Sequence, residues 1–184
     1  GWTAAPNINM AFTVGRGYRV FVRGDRSDPA RLTGSNTTQN EVTLEVSGTL
    51  NQQSVNMPVT YTNTGSSSDD GWNLLGNPFA APFDWGAMWR TGNSGFTGTF
   101  YNKIRPEVYV YDPIGNNYKS YNAASNGGTL TGGIIAPGQA FFIKATGTSP
   151  SLQFYESFKS TSTNNSLFKT GSPTDELLIT MRTD

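Results

Sequence analysis

The pattern of apolar and polar residues along the chain is that of short β-strands. Residues 41–46 alternate polar and apolar side chains, as in a strand with one face in water. Eight further runs are rich in aromatic, β-branched or other large apolar residues, and aromatic and β-branched residues favour strands. These runs are 18–23, 59–62, 72–75, 108–111, 118–121, 140–144, 152–155 and 177–181. A helical pattern is confined to residues 84–90, which allow two turns at most.

Clusters of Gly, Pro, Asn, Asp and Ser separate these runs and predict turns. The clearest clusters are residues 65–71, 112–117 and 126–128. Short strands at this spacing are typical of antiparallel all-β proteins. The sequence therefore predicts an all-β fold, with an antiparallel sandwich or a jelly-roll-like arrangement.

Two segments of the chain are similar to each other. Residues 17–23 and 138–144 each open with a glycine, continue as an apolar strand and end on a cation. Each is followed by a loop and a second strand, at 43–46 and at 151–154. This predicts a weak internal duplication. The alternative, that any two strand–loop–strand units look alike, stays open.

The organisation predicted from these patterns is a β-module over residues 1–160. If the duplication is real, the module divides into sub-units 1–62 and 71–160. Residues 161–166 are polar throughout and predict a linker. Residues 167–184 then hold a terminal strand, which we expect to begin a further domain of a longer parent protein, to pair back into the sheet or to pair with another chain.

Composition excludes several classes of function. The chain has 13 basic and 13 acidic residues and neither His nor Cys. This excludes disulfides, thiolate or imidazole zinc sites, Cys nucleophiles and any triad with an imidazole base. Zero net charge without a long basic run argues against a nucleic-acid partner. No apolar run reaches the ~18 residues of a membrane-spanning helix, so no membrane span is expected.

Aromatic residues, at 12% of the chain, supply the candidate ligand-binding groups. Trp72, Trp85, Trp89 and Tyr111 are the candidates, because an aromatic face packs against the apolar face of a sugar ring. The alternative is that these rings fill one end of the sandwich core. If the module binds a glycan, at least two of these four rings should be exposed and roughly coplanar, whereas burial of the rings would favour the core hypothesis.

Three stretches of sequence resemble a known kind of module. They are GWNLLGNPF (71–79) followed by FDW (83–85), VYVYD (108–112) and IAPGQAFFIKA (135–145). They resemble a β-rich module found near the C-terminus of large secreted and cell-surface proteins of the Bacteroidota, which are cargo of type IX secretion. Residues 15–25 resemble sequence just upstream of that module. The resemblance implies an extracellular location and adhesin-like neighbouring domains as partners, and it implies no catalytic residues.

Two further hypotheses concern carboxylates. Asp69, Asp70, Asp84 and Asp112 are candidate ligands for a calcium ion, since hard cations favour carboxylate oxygens, although no EF-hand spacing is present. A glycan-active enzyme would need two carboxylates about 5–10 Å apart across a cleft. Its candidates are Glu41, Glu45, Glu107 and Glu156, most of them at alternating strand positions where solvated charges are usual.

The sequence thus favours a non-catalytic extracellular module for adhesion, display or domain spacing. A carbohydrate-binding module is the first alternative, and a glycan-active enzyme is the second.

Overall fold

The computed structural model of the chain describes residues 4–7, 9–20, 29, 33, 48–93, 101–112 and 115–162. Ten β-strands, one α-helix and two short 3₁₀ turns lie in these residues. The strands are β1 Ser54–Asn56, β2 Trp72–Gly76, β3 Phe83–Asp84, β4 Tyr101–Asn102, β5 Glu107–Asp112, β6 Asn117–Asn122, β7 Gly127–Gly128, β8 Ile134–Ile135, β9 Ala140–Lys144 and β10 Ser151–Tyr155. The helix, α1, is Trp85–Asn93, and the 3₁₀ turns are Thr131–Gly133 and Glu156–Phe158. The predicted all-β class is confirmed.

The strands form three antiparallel sheets. The largest has five strands in the order β2-β9-β5-β6-β7. The pairs β2–β9 and β5–β6 are in continuous register, and β5 meets β9 at Tyr109 and Phe142. A three-stranded sheet has the order β1-β10-β4, and β3 pairs with β8 in a two-stranded sheet. Strands β9 and β10 follow each other in sequence but lie in different sheets, so the chain crosses from one sheet to the other between them.

The core lies between the five-stranded and three-stranded sheets. Phe154 of β10 stacks on Phe83 of β3, with ring centroids 3.9 Å apart, and lies 5.9 Å from the ring of Phe141 of β9. All three rings are fully buried. Since Phe141 belongs to the large sheet and Phe154 to the small one, these rings join the two sheets in the manner of a sandwich.

Most of the predicted strands that can be compared are present. Strands occur at 72–76, 107–112, 117–122, 140–144 and 151–155, each covering a predicted run. The runs 41–46 and 177–181 lie outside the described residues. Residues 18–20 have no regular structure, and the rest of that run also lies outside the described part of the chain.

The predicted strand at 59–62 is wrong. Thr60 uses its backbone groups to bind a side chain instead of a neighbouring strand: its N–H donates to Asn73 Oδ1 at 2.9 Å and its carbonyl accepts from Asn73 Nδ2 at 2.8 Å. The amide side chain of Asn73 thus takes the place of a neighbouring strand's backbone, and the residues around Thr60 remain irregular.

The short helix was predicted because 84–90 carries the helical pattern, and it is present. Asp84 is its N-cap, with Oδ1 accepting a hydrogen bond from the N–H of Ala87 at 2.7 Å. The predicted turn at 126–128 is only half correct, because Gly127 and Gly128 form the edge strand β7 against β6.

The described part of residues 1–62 belongs to the same core as the rest of the module. Strand β1 pairs with β10, and Met57 is buried among the core side chains. Of the similar segments, 21–23 lie outside the described residues. Of the predicted linker, residues 161 and 162 are exposed, while 163–184 are not described.

Candidate functional site

The motif at residues 71–79 contains strand β2, which is flanked by Gly71 and Asn77. Gly71 has φ +79°, and its carbonyl accepts from the N–H of Ala145 at 2.7 Å. A Cβ at Gly71 would lie 2.0 Å from the Ala145 carbonyl oxygen, so the close approach of these two backbones requires glycine. Leu75 is inserted into the core between the ends of the strand.

Asn77 holds the loop after β2 against β8. Its Nδ2 lies within hydrogen-bond distance of three carbonyls, those of Ala81 (2.8 Å), Ala136 (3.1 Å) and Ile135 (3.2 Å). Its Oδ1 accepts from the N–H of Phe79 at 3.1 Å. The buried amide thus forms hydrogen bonds with backbone groups of two segments about sixty residues apart. These bonds account for an asparagine at this position without a ligand.

Two of the four candidate ligand-binding rings lie in the core. Trp85 is fully buried, and its Nε1 donates to the carbonyl of Pro106 at 2.8 Å. Trp89 is buried against Tyr101, with ring centroids 3.8 Å apart and nearly parallel planes. Burial also raises the pKa of the Tyr101 hydroxyl. These two tryptophans pack the interior and have no face for a sugar, which corrects the expectation for them.

The other two candidates, Trp72 and Tyr111, are exposed on the outer side of the five-stranded sheet. Trp72 is 43% exposed and Tyr111 is 46% exposed. Neighbouring strands place Tyr109, Tyr118 and Phe142 on the same side, and Tyr118 is 54% exposed. We call these five rings, Trp72, Tyr109, Tyr111, Tyr118 and Phe142, the aromatic face.

The rings of the aromatic face are in contact with one another. Trp72 touches Tyr109 at 5.4 Å between centroids and Phe142 at 6.4 Å. Tyr118 touches Phe142 at 5.8 Å and Tyr111 at 5.4 Å. The planes of each contacting pair are tilted by 65–83°, the edge-to-face arrangement that aromatic quadrupoles favour. The face is therefore continuous and ridged, and its contacting rings are not coplanar.

One end of the aromatic face is fixed by the turn that precedes β2. Trp72 Nε1 donates to the carbonyl of Ser68 at 2.9 Å. Lys144 Nζ donates to the carbonyls of Ser67 and Ser68 at 2.6 and 3.1 Å and lies 5.3 Å from the centroid of the Trp72 ring. The turn, the ammonium and the indole thus hold one another in place.

The opposite end is fixed by the loop between β5 and β6. Tyr111 and Tyr118 are directly opposite each other in the register of these strands. The hydroxyl of Tyr111 donates to Asn116 Oδ1 at 2.5 Å. The Tyr111 ring is therefore held by its hydroxyl before any ligand arrives, and the Tyr118 ring packs edge-to-face against it.

Tyr109, Tyr118 and Phe142 were missed by sequence reasoning, although a signal was present. Alternate residues of a strand share one face. Tyr109 and Tyr111 are two apart in a run whose other positions are Val108 and Val110, so the two tyrosines had to lie on one side of β5. The sequence could not reveal that β6 and β9 flank β5 and bring Tyr118 and Phe142 to the same side.

The candidate calcium ligands Asp69 and Asp70 lie in the turn at 65–71. The buried Asp70 accepts from the N–H and the hydroxyl of Thr64, both at 2.7 Å. These hydrogen bonds lower the pKa of its carboxyl, against the opposing effect of burial. Asp69 is exposed and accepts from the hydroxyls of Ser66 and Ser68. Both carboxylates therefore shape the turn.

The other two candidates lie on separate elements. Asp84 caps α1, and Asp112 is buried at the end of β5, where it pairs with Lys119 at 3.0 Å and accepts from the N–H of Gly115. No cluster of three or more metal-ligating carboxylates occurs in the described ranges. The structure does not bring the four aspartates together.

The candidate acids of an enzyme are also engaged locally. Glu107 Oε1 accepts from Asn122 Nδ2 at 3.0 Å. Glu156 pairs with Lys159 and accepts from the N–H of Gln53, and these contacts lower the pKa of its carboxyl. Glu41 and Glu45 lie outside the described residues. The two described glutamates each serve a structural contact.

The structure thus defines an all-β module with an aromatic outer sheet face. The model of a family described as a domain of unknown function, DUF8693, matches residues 1–182, so the chain belongs to this family. Searches of the curated proteins and of the solved structures each found no match.

A long apolar helix of the kind that crosses a bilayer is absent from the part of the chain that the structure describes.

Proposed function

We propose that this chain is a non-catalytic module of a secreted or cell-surface bacterial protein, carried to the outside by type IX secretion, and that it serves adhesion or display. The observation that carries this proposal is the aromatic face, three of whose rings are about half exposed. Exposed apolar surface in a continuous patch is characteristic of a contact surface. The sequence resemblance supports the location outside the cell.

The architecture suits presentation of a surface. Phe83, Phe141 and Phe154 are fully buried between the sheets and make the module rigid. Trp72 and Tyr111, at opposite ends of the aromatic face, are fixed by hydrogen bonds to adjacent turns. A rigid surface loses little conformational entropy on contact, so its buried area converts more fully into affinity.

The proposal of a non-catalytic role rests on the local contacts that the described carboxylates make. The described candidates each cap a helix, shape a turn, pair with a lysine or bind a neighbouring amide, as given above. General acid–base catalysis needs a carboxyl that faces a substrate. Neighbouring domains of a longer parent protein are the proposed covalent partners of the module.

The location and the adhesive role are tested together. Antibodies against this chain should label intact cells, or the culture medium, of the bacterium that encodes it. Beads coated with the chain should attach to those cells. A triple variant, Trp72→Ala, Tyr111→Ala and Tyr118→Ala, should abolish attachment. Phe12→Ala is the matched control, because Phe12 is 63% exposed but packs on Tyr18 instead of the aromatic face.

Labelling that requires cell lysis would contradict the extracellular location. Equal attachment of the wild-type chain and the triple variant would contradict the role of the aromatic face.

A further inference from the structure

We propose that the aromatic face binds a neutral, soluble polysaccharide chain. This inference rests on the proposed function, because it takes the aromatic face as the contact surface and names its ligand class. Sugar rings combine an apolar C–H face with a rim of hydroxyls. The ligand must therefore meet aromatic rings and hydroxyl-binding groups on one surface.

Charge is the first argument for a neutral ligand. Two charged side chains lie among the described strand residues on this side of the five-stranded sheet, Lys144 and Glu107. The ammonium of Lys144 is bound by two carbonyls, and Glu107 Oε1 accepts from Asn122. Between them the surface is aromatic and uncharged. A polyanion or a polycation would meet a single opposite charge on this side of the sheet, Lys144 or Glu107, and no row of complementary charges. A neutral polymer needs no such row and loses no solvated charge on binding.

Hydroxyl groups supply the second argument. Tyr111 donates its hydroxyl proton to Asn116, but the hydroxyls of Tyr109 and Tyr118 have no hydrogen-bond partner among the described residues. A phenol both donates and accepts, which matches the hydroxyl of a sugar. Tyr118, the most exposed ring of the face, therefore offers an apolar surface and a polar group together.

The shape of the face selects the form of the polysaccharide. A flat crystalline surface needs coplanar rings to lie against. The contacting rings here are tilted by 65–83°, which gives a ridged surface instead. A single flexible chain can turn its sugar rings to follow these ridges.

The test is native affinity electrophoresis of the whole chain in gels that contain one soluble polysaccharide each. The neutral probes are hydroxyethyl cellulose, arabinoxylan, galactomannan and arabinogalactan, and the anionic probe is polygalacturonate. At least one neutral polymer should retard the wild-type chain. Tyr118→Ala should weaken the retardation at least about tenfold, because it removes a stacking ring. Tyr118→Phe, which removes the hydroxyl alone, should weaken it less, and Phe12→Ala should leave it unchanged.

Three results would overturn the inference: retardation in none of the neutral gels, retardation by polygalacturonate alone, or equal retardation of wild type and Tyr118→Ala. A fourth is a concentration-dependent dimer in solution that Tyr118→Ala abolishes, since the aromatic face would then be covered by a second copy. If these results occur while intact cells are still labelled and beads still attach through the aromatic face, the ligand class fails and the proposed function stands.

Discussion

The carbonyl oxygen of Ala145 lies where a side chain on Gly71 would begin. Gly71 accepts a hydrogen bond from the N–H of Ala145 and has φ +79°, and the position of its missing Cβ is 2.0 Å from that oxygen. The start of β2, and with it the position of Trp72, depends on this contact between two backbones.

Gly71→Ala should therefore destabilise the protein by more than a positive φ alone explains. Gly65→Ala is the matched control, because Gly65 has φ +83° with no atom within 4 Å of its Cβ position. We expect about 1 kcal/mol for Gly65→Ala and at least about 2 kcal/mol more for Gly71→Ala, from urea unfolding. Equal losses in the two variants would show that the close approach contributes nothing.

Asn77→Asp should be more harmful than Asn77→Ala. The aspartate would place a buried carboxylate against the carbonyls of Ala81, Ile135 and Ala136, where the amide donates now. Alanine leaves these carbonyls without their donor, at a cost of about 1–3 kcal/mol, and aspartate adds repulsion and burial of a charge. Thermal unfolding at neutral pH measures both changes.

The control for this pair is Asn63→Asp. Asn63 is exposed and uses Oδ1 to accept from the N–H of Gly65, a contact that a carboxylate retains. The free energy of unfolding of the Asn63→Asp variant should differ from that of the wild type by less than about 0.5 kcal/mol. If Asn77→Asp is as mild as Asn63→Asp, the role assigned to Asn77 is wrong.

Truncation of Trp85 should cost far more stability than truncation of Trp72. Trp85→Ala should cost about 3–5 kcal/mol, because it empties a fully buried position in the core. Trp72→Ala should cost under about 1.5 kcal/mol, because the ring is nearly half exposed. It loses ring contacts with Tyr109 and Phe142, the contact with Lys144 and one hydrogen bond to Ser68. Denaturant midpoints at constant m-value distinguish the two. A large loss of stability in Trp72→Ala would show that this ring has a structural role, and it would weaken the case for ligand binding.

The free energy of unfolding should fall at acidic pH, because the Asp70 carboxylate becomes protonated. The hydrogen bonds from Thr64 lower the pKa of the Asp70 carboxyl in the folded state. The unfolded state then binds more protons, so the contribution of this group is full above its ordinary pKa of 3.8 and is lost as the pH falls through the lower folded value. Urea midpoints at pH 6 and near pH 3 measure the loss.

Asp70→Asn should reduce this dependence on pH, because the amide does not titrate. Thr64→Val, which removes the hydroxyl donor but keeps the backbone one, should reduce it by a smaller amount. An acid dependence that is unchanged in Asp70→Asn would refute the assignment to this carboxyl.

The sequence alone determined the fold class and the five longest described strands, β2, β5, β6, β9 and β10. Strands carry a local signal, because aromatic and β-branched side chains are concentrated in short runs between turn residues, so runs such as 140–144 could be read directly. The error at 59–62 arose because a side chain, Asn73, replaced the neighbouring strand. Hydrogen bonding by a residue distant in sequence leaves no trace in the local pattern.

Which aromatic rings are core and which are surface was decided by tertiary structure. Trp72 and Trp85 belong to one distinctive stretch and carry the same chemistry, yet Trp72 points outward from a strand while Trp85 begins a helix against the core. The alternation of side chains along a strand is enough to place Tyr109 and Tyr111 on one side of β5. The order of strands in the sheet, set by pairing between distant segments, then added Tyr118 and Phe142 and made separate rings into one continuous face.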